Sequence, residues 1–424
     1  MKQTVRIYDT IGDLMDGSTP PGGSLDGVRV LDLSRVLAGP LCTQMLGDHG
    51  ASVVKVEPPA GDDTRAWGPP FVAPDTSAYY GAINRNKDNV CLDLRTEDGQ
   101  RILGDLLASA DVVVENFKTG TLERWGYSDS VLAERFPRLI VCRITGFGTD
   151  GPMGGKPGYD AVAQAYGGLM SINGEPDGPA LRVGVPIVDM VTGIYAFSGI
   201  LLALRHRELT GLGQVVDCTL LDTAVSLLHP HSASHLADGR VPRRTGSAHP
   251  TVAPYDTFDA ADGPLFIGVG NDRQFRELTR ILDIPDVGAA PEFATNSVRL
   301  HNLPRLRGLL AHEIARFERR DLADRLITRG VPAAAVRDVG EVLRDRHVLH
   351  RDMVVEKDGY RGIGSPIKLS RAEVGVRTPP RPRGSDTRRI LSSLGYLSSE
   401  IDALIEADVA HHTEDQVGAE NFRR

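Results

Sequence analysis

The sequence is short of what several protein classes require. Its four cysteines, Cys42, Cys91, Cys142 and Cys218, lie far apart with no CxxC pair, which excludes a disulfide scaffold and a paired-cysteine zinc site. Each sits among apolar residues and reads as a reduced core thiol. Positive charge is in deficit, 48 Lys and Arg against 56 Asp and Glu for a formal net charge of −8, so nucleic acid is not an expected partner. No GxxxxGK[ST], GxSxG or HExxH occurs, which removes the P-loop phosphate cradle and two common hydrolase sites, and neither GVGNDR nor GLGQVV completes the GxGxxG of dinucleotide sites. The most apolar stretch, Ile187 to Leu204, is interrupted by Asp189, Thr192, Gly193, Ser198 and Gly199 and falls short of about 20 uninterrupted apolar residues. It reads as a buried helix, and no membrane association is expected. The N-terminus lacks the apolar run of a secretory signal, so the cytoplasm is the expected compartment.

Glycine and proline are plentiful, 46 and 27 in 424 residues of which 41% are hydrophobic, a globular composition with room for two or three domains. Residues 1–24 read as a tail ending in the turn-rich STPPGGS. From Leu25 strands alternate with helices: GVRVLDLS, AGPLCTQMLGDHG, ASVVKVE, NVCLDL, EDGQRILGDLLASA, DVVVENF and PRLIVCRIT. That alternation predicts a doubly wound, Rossmann-like α/β domain over 25–228. Residues 229–249 read as a linker and 250–335 as a small α+β domain opening with a hairpin at Asp262-Gly263. A further linker and a helical C-terminal segment fill 336–424. His231 and His235 stand four apart, but without a third ligand they read as surface histidines, and no metal is expected.

Two carboxylates invite chemistry. Asp189, in VGVPIVDMVTG, stands where an apolar run gives way to an apolar helix; burial would raise its pKa while helix N-terminal amides stabilise its charge. It is either a helix cap or a catalytic group, a nucleophile or a base. Asp160, in KPGYDAVAQA, is explained by capping the helix that follows it. Before them runs a basic and amide-bearing set, Asn84 to Lys87, Arg95, and Asn116 to Arg124, which is either an anion site for a phosphorylated cofactor or a solvated basic edge.

The joint order of several segments resembles the class III CoA-transferase family of CaiB/BaiF type, which includes formyl-CoA transferase, carnitine CoA-transferase and α-methylacyl-CoA racemase. LDGVRVLDLSRVLAGPLCTQMLGDHGASVVKVEPPAGDDTR is similar to the family's opening, and NRNKDNVCLDL, VVENFKTGTLERWG, ITGFGTDGP, GYDAVAQAYGGLMSINGEP, VGVPIVDMVTGIYA and TGLGQVVDCTLLD follow in the family's order. HPTVAPYDTFDAADGPLFIGVGNDRQFREL, RGVPAAAV and ILSSLGYLSSEIDALIEADV extend the likeness to about Val409.

The resemblance implies an interlocked, ring-shaped homodimer and a CoA transferase in which Asp189 is the nucleophile, passing through an aspartyl anhydride and an aspartyl-CoA thioester. By position, Leu92, Arg95, Asn116, Phe117, Thr121 and Arg124 match CoA contacts, with Arg35, Leu37 and Lys156 beside them. Tyr159 and Asp160, with His249 and Tyr255 from the small domain, are expected to line the substrate pocket. No permanent cofactor is implied; CoA, acyl-CoA and a carboxylic acid, with succinyl-CoA or another dicarboxyl-CoA as donor, enter as substrates. Where the racemases carry GHD this chain has GYD, and the Tyr159 phenol, with an ordinary pKa of about 10, is a poor base for racemisation. The alternatives are a racemase and a non-catalytic CoA-binding homologue. Arg65, Arg182 and Arg273 are the arginines considered for pairing a second substrate carboxylate.

Overall fold

Six short segments rich in valine and isoleucine, RVLD, SVVKVE, KDNVCL, VVVE, IVCRIT and VVDCT, are the strands of a parallel sheet in the computed structural model, which describes residues 22–413. Of the expected tail at 1–24, residues 1–21 therefore lie outside the described residues. The sheet order is Ala410–His411, Lys87–Leu92, Ser52–Glu57, Arg29–Asp32, Val112–Glu115, Ile140–Thr145, Val215–Thr219. All neighbours are parallel except the C-terminal strand, whose Ala410 pairs antiparallel with Leu92. In chain order the parallel strands run 3-2-1-4-5-6, the doubly wound arrangement with its switch point between Arg29–Asp32 and Val112–Glu115.

Helices cover both faces, as a parallel sheet requires. On one, Ile102, Leu103, Leu106 and Leu107 of the helix Glu97–Ser109 pack with Ile390, Leu391, Ile401 and Leu404 of the C-terminal helices Thr387–Ser393 and Ser398–Glu406. On the other, Cys42 and Leu46 of the helix Ala38–Asp48 pack with Ala196, Phe197 and Ile200 of the helix Ile187–Thr210. This long helix is not the buried helix its composition implies. It buries Val188, Thr192, Ala196, Phe197, Ile200 and Ala203, one stripe at helical spacing, and leaves Met190, Ile194, Tyr195, Leu201, Leu202 and Leu209 exposed. It is also the one helix among the described residues long and apolar enough to cross a membrane.

The chain divides into two units. The larger takes the described residues up to Gly167, Gly184–Leu227 and those from Arg346; the smaller takes Gly168–Val183 and Leu228–Asp345. In the smaller, the strands Tyr255–Ala260 and Gly263–Gly268 form the hairpin, and a third strand, Ala333–Ala335, hidden in an alanine run without β-branched residues, pairs with the second. Leu265, Ile267, Phe275, Leu278, Leu306, Leu310 and Leu322 make its core with the helices Asp272–Ile281, Leu303–Ile314 and Arg319–Thr328. The stretch 229–249 contains a helix, His231–Asp238, which buries none of its residues.

Candidate active site

In doubly wound sheets, ligands bind beyond the carboxyl ends of the strands at the switch point. Here the two loops that leave it are tied together by one side chain. Asn116, just after Glu115, donates from Nδ2 to the Arg35 carbonyl at 2.7 Å and accepts the Arg35 N–H on Oδ1 at 2.9 Å. Beside it Phe117 meets Trp125 edge to face at 5.2 Å, and Thr121 accepts from Arg124 at 2.8 Å. Arg124 and Lys118 are exposed, as is Lys156, whose loop reaches Thr119 at Gly155. Arg95 is exposed and forked onto Asp93. Leu37 is buried, and the Leu92 side chain lies wholly in the core, which leaves its backbone alone near the strand end.

The first four residues of the basic set are neither a ligand site nor a solvated edge. Asn84, Arg85, Asn86 and Lys87 are all buried and internally engaged: Arg85 forks onto Asp48, and Lys87 donates to Asp32, Asn84 and the Pro40 carbonyl. They belong to a chain of buried ions under the strand ends that the sequence does not reveal, because its members are scattered along the chain. Lys55 pairs with Asp62 at 3.1 Å and donates to the Ser34 carbonyl at 2.8 Å. Asp62 accepts the N–H of Val36, a β-branched residue held at φ +71°. Arg65 forks onto Glu57, which also accepts the Tyr80 hydroxyl, so Arg65 is committed inside the protein and is removed as a substrate clamp. Burial opposes charge on Asp32 and Glu57, yet Lys87 and Lys55 bring the first down to about 2 and Arg65 the second down to about 2. Burial pulls Lys87 down to about 8.

Asp189 is the third residue of the helix Ile187–Thr210, half-buried, and among the described residues no donor reaches its carboxylate. The helix begins at Pro186, which has no capping side chain; the cap comes from elsewhere. Asp160, buried in the first turn of the helix Asp160–Tyr166, accepts the Val188 N–H at 2.8 Å and the Asp189 N–H at 3.2 Å on one oxygen, and the Gln164 amide at 2.7 Å on the other. Asp160 therefore caps not its own helix but the one that bears Asp189. This also corrects the electrostatics expected for Asp189, since the amides that would favour its charge face a second carboxylate. Burial first, and the Asp160 charge second, push Asp189 up to about 7.

The sequence gives no sign of Tyr79. Ser77 caps the helix Ala78–Ala82, which turns Tyr80 into the buried ion chain and Tyr79 toward the carboxylates. Burial, then the charges of Asp189, Asp160 and Asp62, push its phenol up to about 12, so it stays protonated, and among the described residues its hydroxyl has no partner. Trp67, 47% exposed, meets its ring edge to face at 5.2 Å. Tyr159 is 65% exposed beside Asp160. His249 and Tyr255 stand together in the smaller unit, ring centroids 5.3 Å apart.

The model of the family described as CoA-transferase family III matches residues 25–387. The chain is 40% identical to a succinate–glutarate CoA-transferase of Agrobacterium fabrum, over 90% of this chain and 97% of that one. It is 38% identical to the human succinyl-CoA:glutarate CoA-transferase, over 92% and 90%, and 41% identical to a succinyl-CoA:mesaconate CoA-transferase of Haloarcula hispanica, over 85% and 92%. A CaiB/BaiF family protein from Brucella suis has a similar structure, with a TM-score of 0.81 and 40% identity over 88% of this chain and all of the other.

Proposed function

Because the chain belongs to CoA-transferase family III and is an enzyme that moves CoA between an acyl-CoA and an acid, we propose that Asp189 is the nucleophile and that donor and acceptor are dicarboxylic. The observation that carries the first part is the Asp189 carboxylate itself, which no donor reaches among the described residues and which is pushed up to about 7. A carboxylate this basic is a better nucleophile than an ordinary one, yet it is half ionised near neutrality. It attacks the thioester carbonyl, the C–S bond breaks, and CoA thiolate leaves an aspartyl anhydride. The thiolate returns to the Asp189 carbonyl, releasing the donor acid and forming an aspartyl-CoA thioester. The acceptor carboxylate attacks that thioester and expels the thiolate, which then takes the new acyl group and frees Asp189. Acyl activation is conserved throughout, so no ATP is consumed. Tyr79, kept neutral, offers its O–H to the oxyanions formed at the Asp189 carboxyl.

The CoA site is placed at the switch point, with Asn116, Phe117, Thr121 and Arg124 on one loop, Arg35 and Leu37 on the other, and Arg95 and Lys156 beside them. Dicarboxylic substrates are supported by the relatives that act on succinate, glutarate and mesaconate. A homodimer is supported by the exposed apolar face of the helix Ile187–Thr210, which a second copy would cover, and a cytoplasmic enzyme by the four free thiols. The test is incubation with succinyl-CoA and a panel of mono- and dicarboxylic acids without ATP, following new thioesters by mass spectrometry. A new acyl-CoA that disappears in Asp189→Ala is the expected result; transfer that survives the substitution refutes the assignment.

A further inference from the structure

The strand Arg29–Asp32 stands at the switch point, and the backbone that follows it within the larger unit is shaped by side chains rather than by backbone pairing. The Ser34 N–H donates to Asp32 Oδ1 at 3.0 Å, and the Ser34 carbonyl accepts from Lys55 Nζ at 2.8 Å. The Arg35 N–H and carbonyl are both taken by the Asn116 amide, and the Val36 N–H donates to Asp62 Oδ1 at 3.4 Å. Every backbone polar group from the Ser34 N–H to the Val36 N–H is thus bonded to a side chain. Such a run has no regular conformation of its own, and Val36 shows it: a β-branched residue at φ +71° persists only where its surroundings over-determine it. Gly39 closes the turn, since a Cβ there would lie 2.3 Å from the Ser34 side chain.

Two of these partners are a buried ion pair. Lys55 Nζ lies 3.1 Å from Asp62 Oδ2, and both side chains are wholly buried. Lys55 stands opposite Asp32 in the neighbouring strand, and Asp62 is fixed by the Thr64 N–H at 3.0 Å and the Thr64 hydroxyl at 2.7 Å. Burial works against the Lys55 charge, but Asp32, Asp62 and Glu57 outweigh it and keep the ammonium protonated. A buried pair adds little net stability over apolar residues of the same volume, whereas it fixes donors and acceptors in place. What this pair fixes is the Ser34 carbonyl on one side of Arg35 and the Val36 N–H on the other.

We propose that Lys55 and Asp62 are together positioning residues for CoA: they hold the backbone around Arg35 in the shape that presents Arg35 and Leu37 to the coenzyme, without touching it themselves. This rests on the reading that places CoA at the switch point. The test removes the pair without stranding a buried charge. Lys55→Met combined with Asp62→Asn keeps an oxygen for Val36 and Thr64 and loses the ammonium on Ser34. Free CoA, titrated by calorimetry, should then bind about 10-fold more weakly, and the KM for succinyl-CoA should rise by the same factor while kcat and the KM for the acceptor acid hold within about 2-fold. If the double variant does not fold, Asp62→Asn alone, which leaves the Lys55 donor, carries the test with an expected loss of about 3-fold. Arg85→Met combined with Asp48→Asn removes a second buried pair that does not touch this loop, and should leave CoA affinity unchanged. CoA affinity indifferent to the Lys55–Asp62 variants, an equal loss on removing the Arg85–Asp48 pair, or a KM for the acceptor acid that rises in step overturns the proposal. Arg124→Ala separates the two readings. If it weakens CoA binding while the Lys55–Asp62 variants do not, this proposal alone falls; if it leaves CoA binding unchanged, CoA is not at the switch point and both fall.

Discussion

Asp160 Oδ1 accepts the backbone N–H of Asp189 at 3.2 Å, so one carboxylate caps the helix on which the other stands. The contact sets the orientation of the Asp189 helix and places a like charge beside the Asp189 carboxylate. Position and basicity of the Asp189 carboxylate are thus two outcomes of one hydrogen-bonding residue.

The rate should therefore follow the ionisation of Asp189. Its carboxyl is pushed up to about 7, so kcat/KM is expected to rise with pH through about 7 and level off above. Asp160→Asn keeps an oxygen for the cap and removes the opposing charge, so the Asp189 pKa falls and the rising limb moves to lower pH by about 1 unit or more. The pH profiles of the two proteins decide it; coincident limbs would show that Asp160 does not tune Asp189.

Asp189 should also weaken the fold where it is ionised. Its folded pKa lies above the unfolded value, so its contribution to stability is full below about pH 4 and is lost as pH rises through about 7. Asp189→Asn is expected to raise Tm by about 2–4 °C at pH 8 and hardly at all at pH 4, while abolishing transfer. Thermal melts at the two values check it, and a gain independent of pH would contradict it.

Tyr79→Phe deletes a hydroxyl that has no partner among the described residues, so stability should change by less than about 0.5 kcal/mol. If the hydroxyl stabilises oxyanions at Asp189, kcat should fall about 100-fold with the KM for acyl-CoA nearly unchanged. An effect on KM alone would make Tyr79 a binding residue.

Lys55→Met leaves Asp62 charged and buried and frees the Ser34 carbonyl. Removing one partner of such a pair is expected to cost about 3–5 kcal/mol. Urea unfolding measures it; a loss below 1 kcal/mol would mean that the ion chain does not hold the loop at Val36.

What the sequence revealed and what it hid follow from the range of the interactions. The α/β alternation is local, so strands such as Val112–Glu115 and helices such as Glu97–Ser109 are legible from periodicity and caps. Asp189 is legible as a carboxylate where an apolar run gives way to an apolar helix. Asp160 was not legible as its partner, because a cap 29 residues away has no local pattern and its own helix explains it equally well. Lys87 and Arg85 look like a surface cluster in sequence because their partners Asp32 and Asp48 are 55 and 37 residues distant. Tyr79 and Tyr80 are adjacent yet do opposite things, a distinction only the packed helix makes. The Ile187–Thr210 helix reads as buried by composition, since an apolar face left exposed has the same residues as one that is covered.

The most direct test of the account is to find the covalent intermediate. Enzyme mixed with excess succinyl-CoA without acceptor acid, then quenched with hydroxylamine and digested, should yield a hydroxamate on the peptide carrying Asp189 and on no other. A hydroxamate at a different residue, or none from enzyme that transfers CoA normally, would contradict Asp189 as the nucleophile.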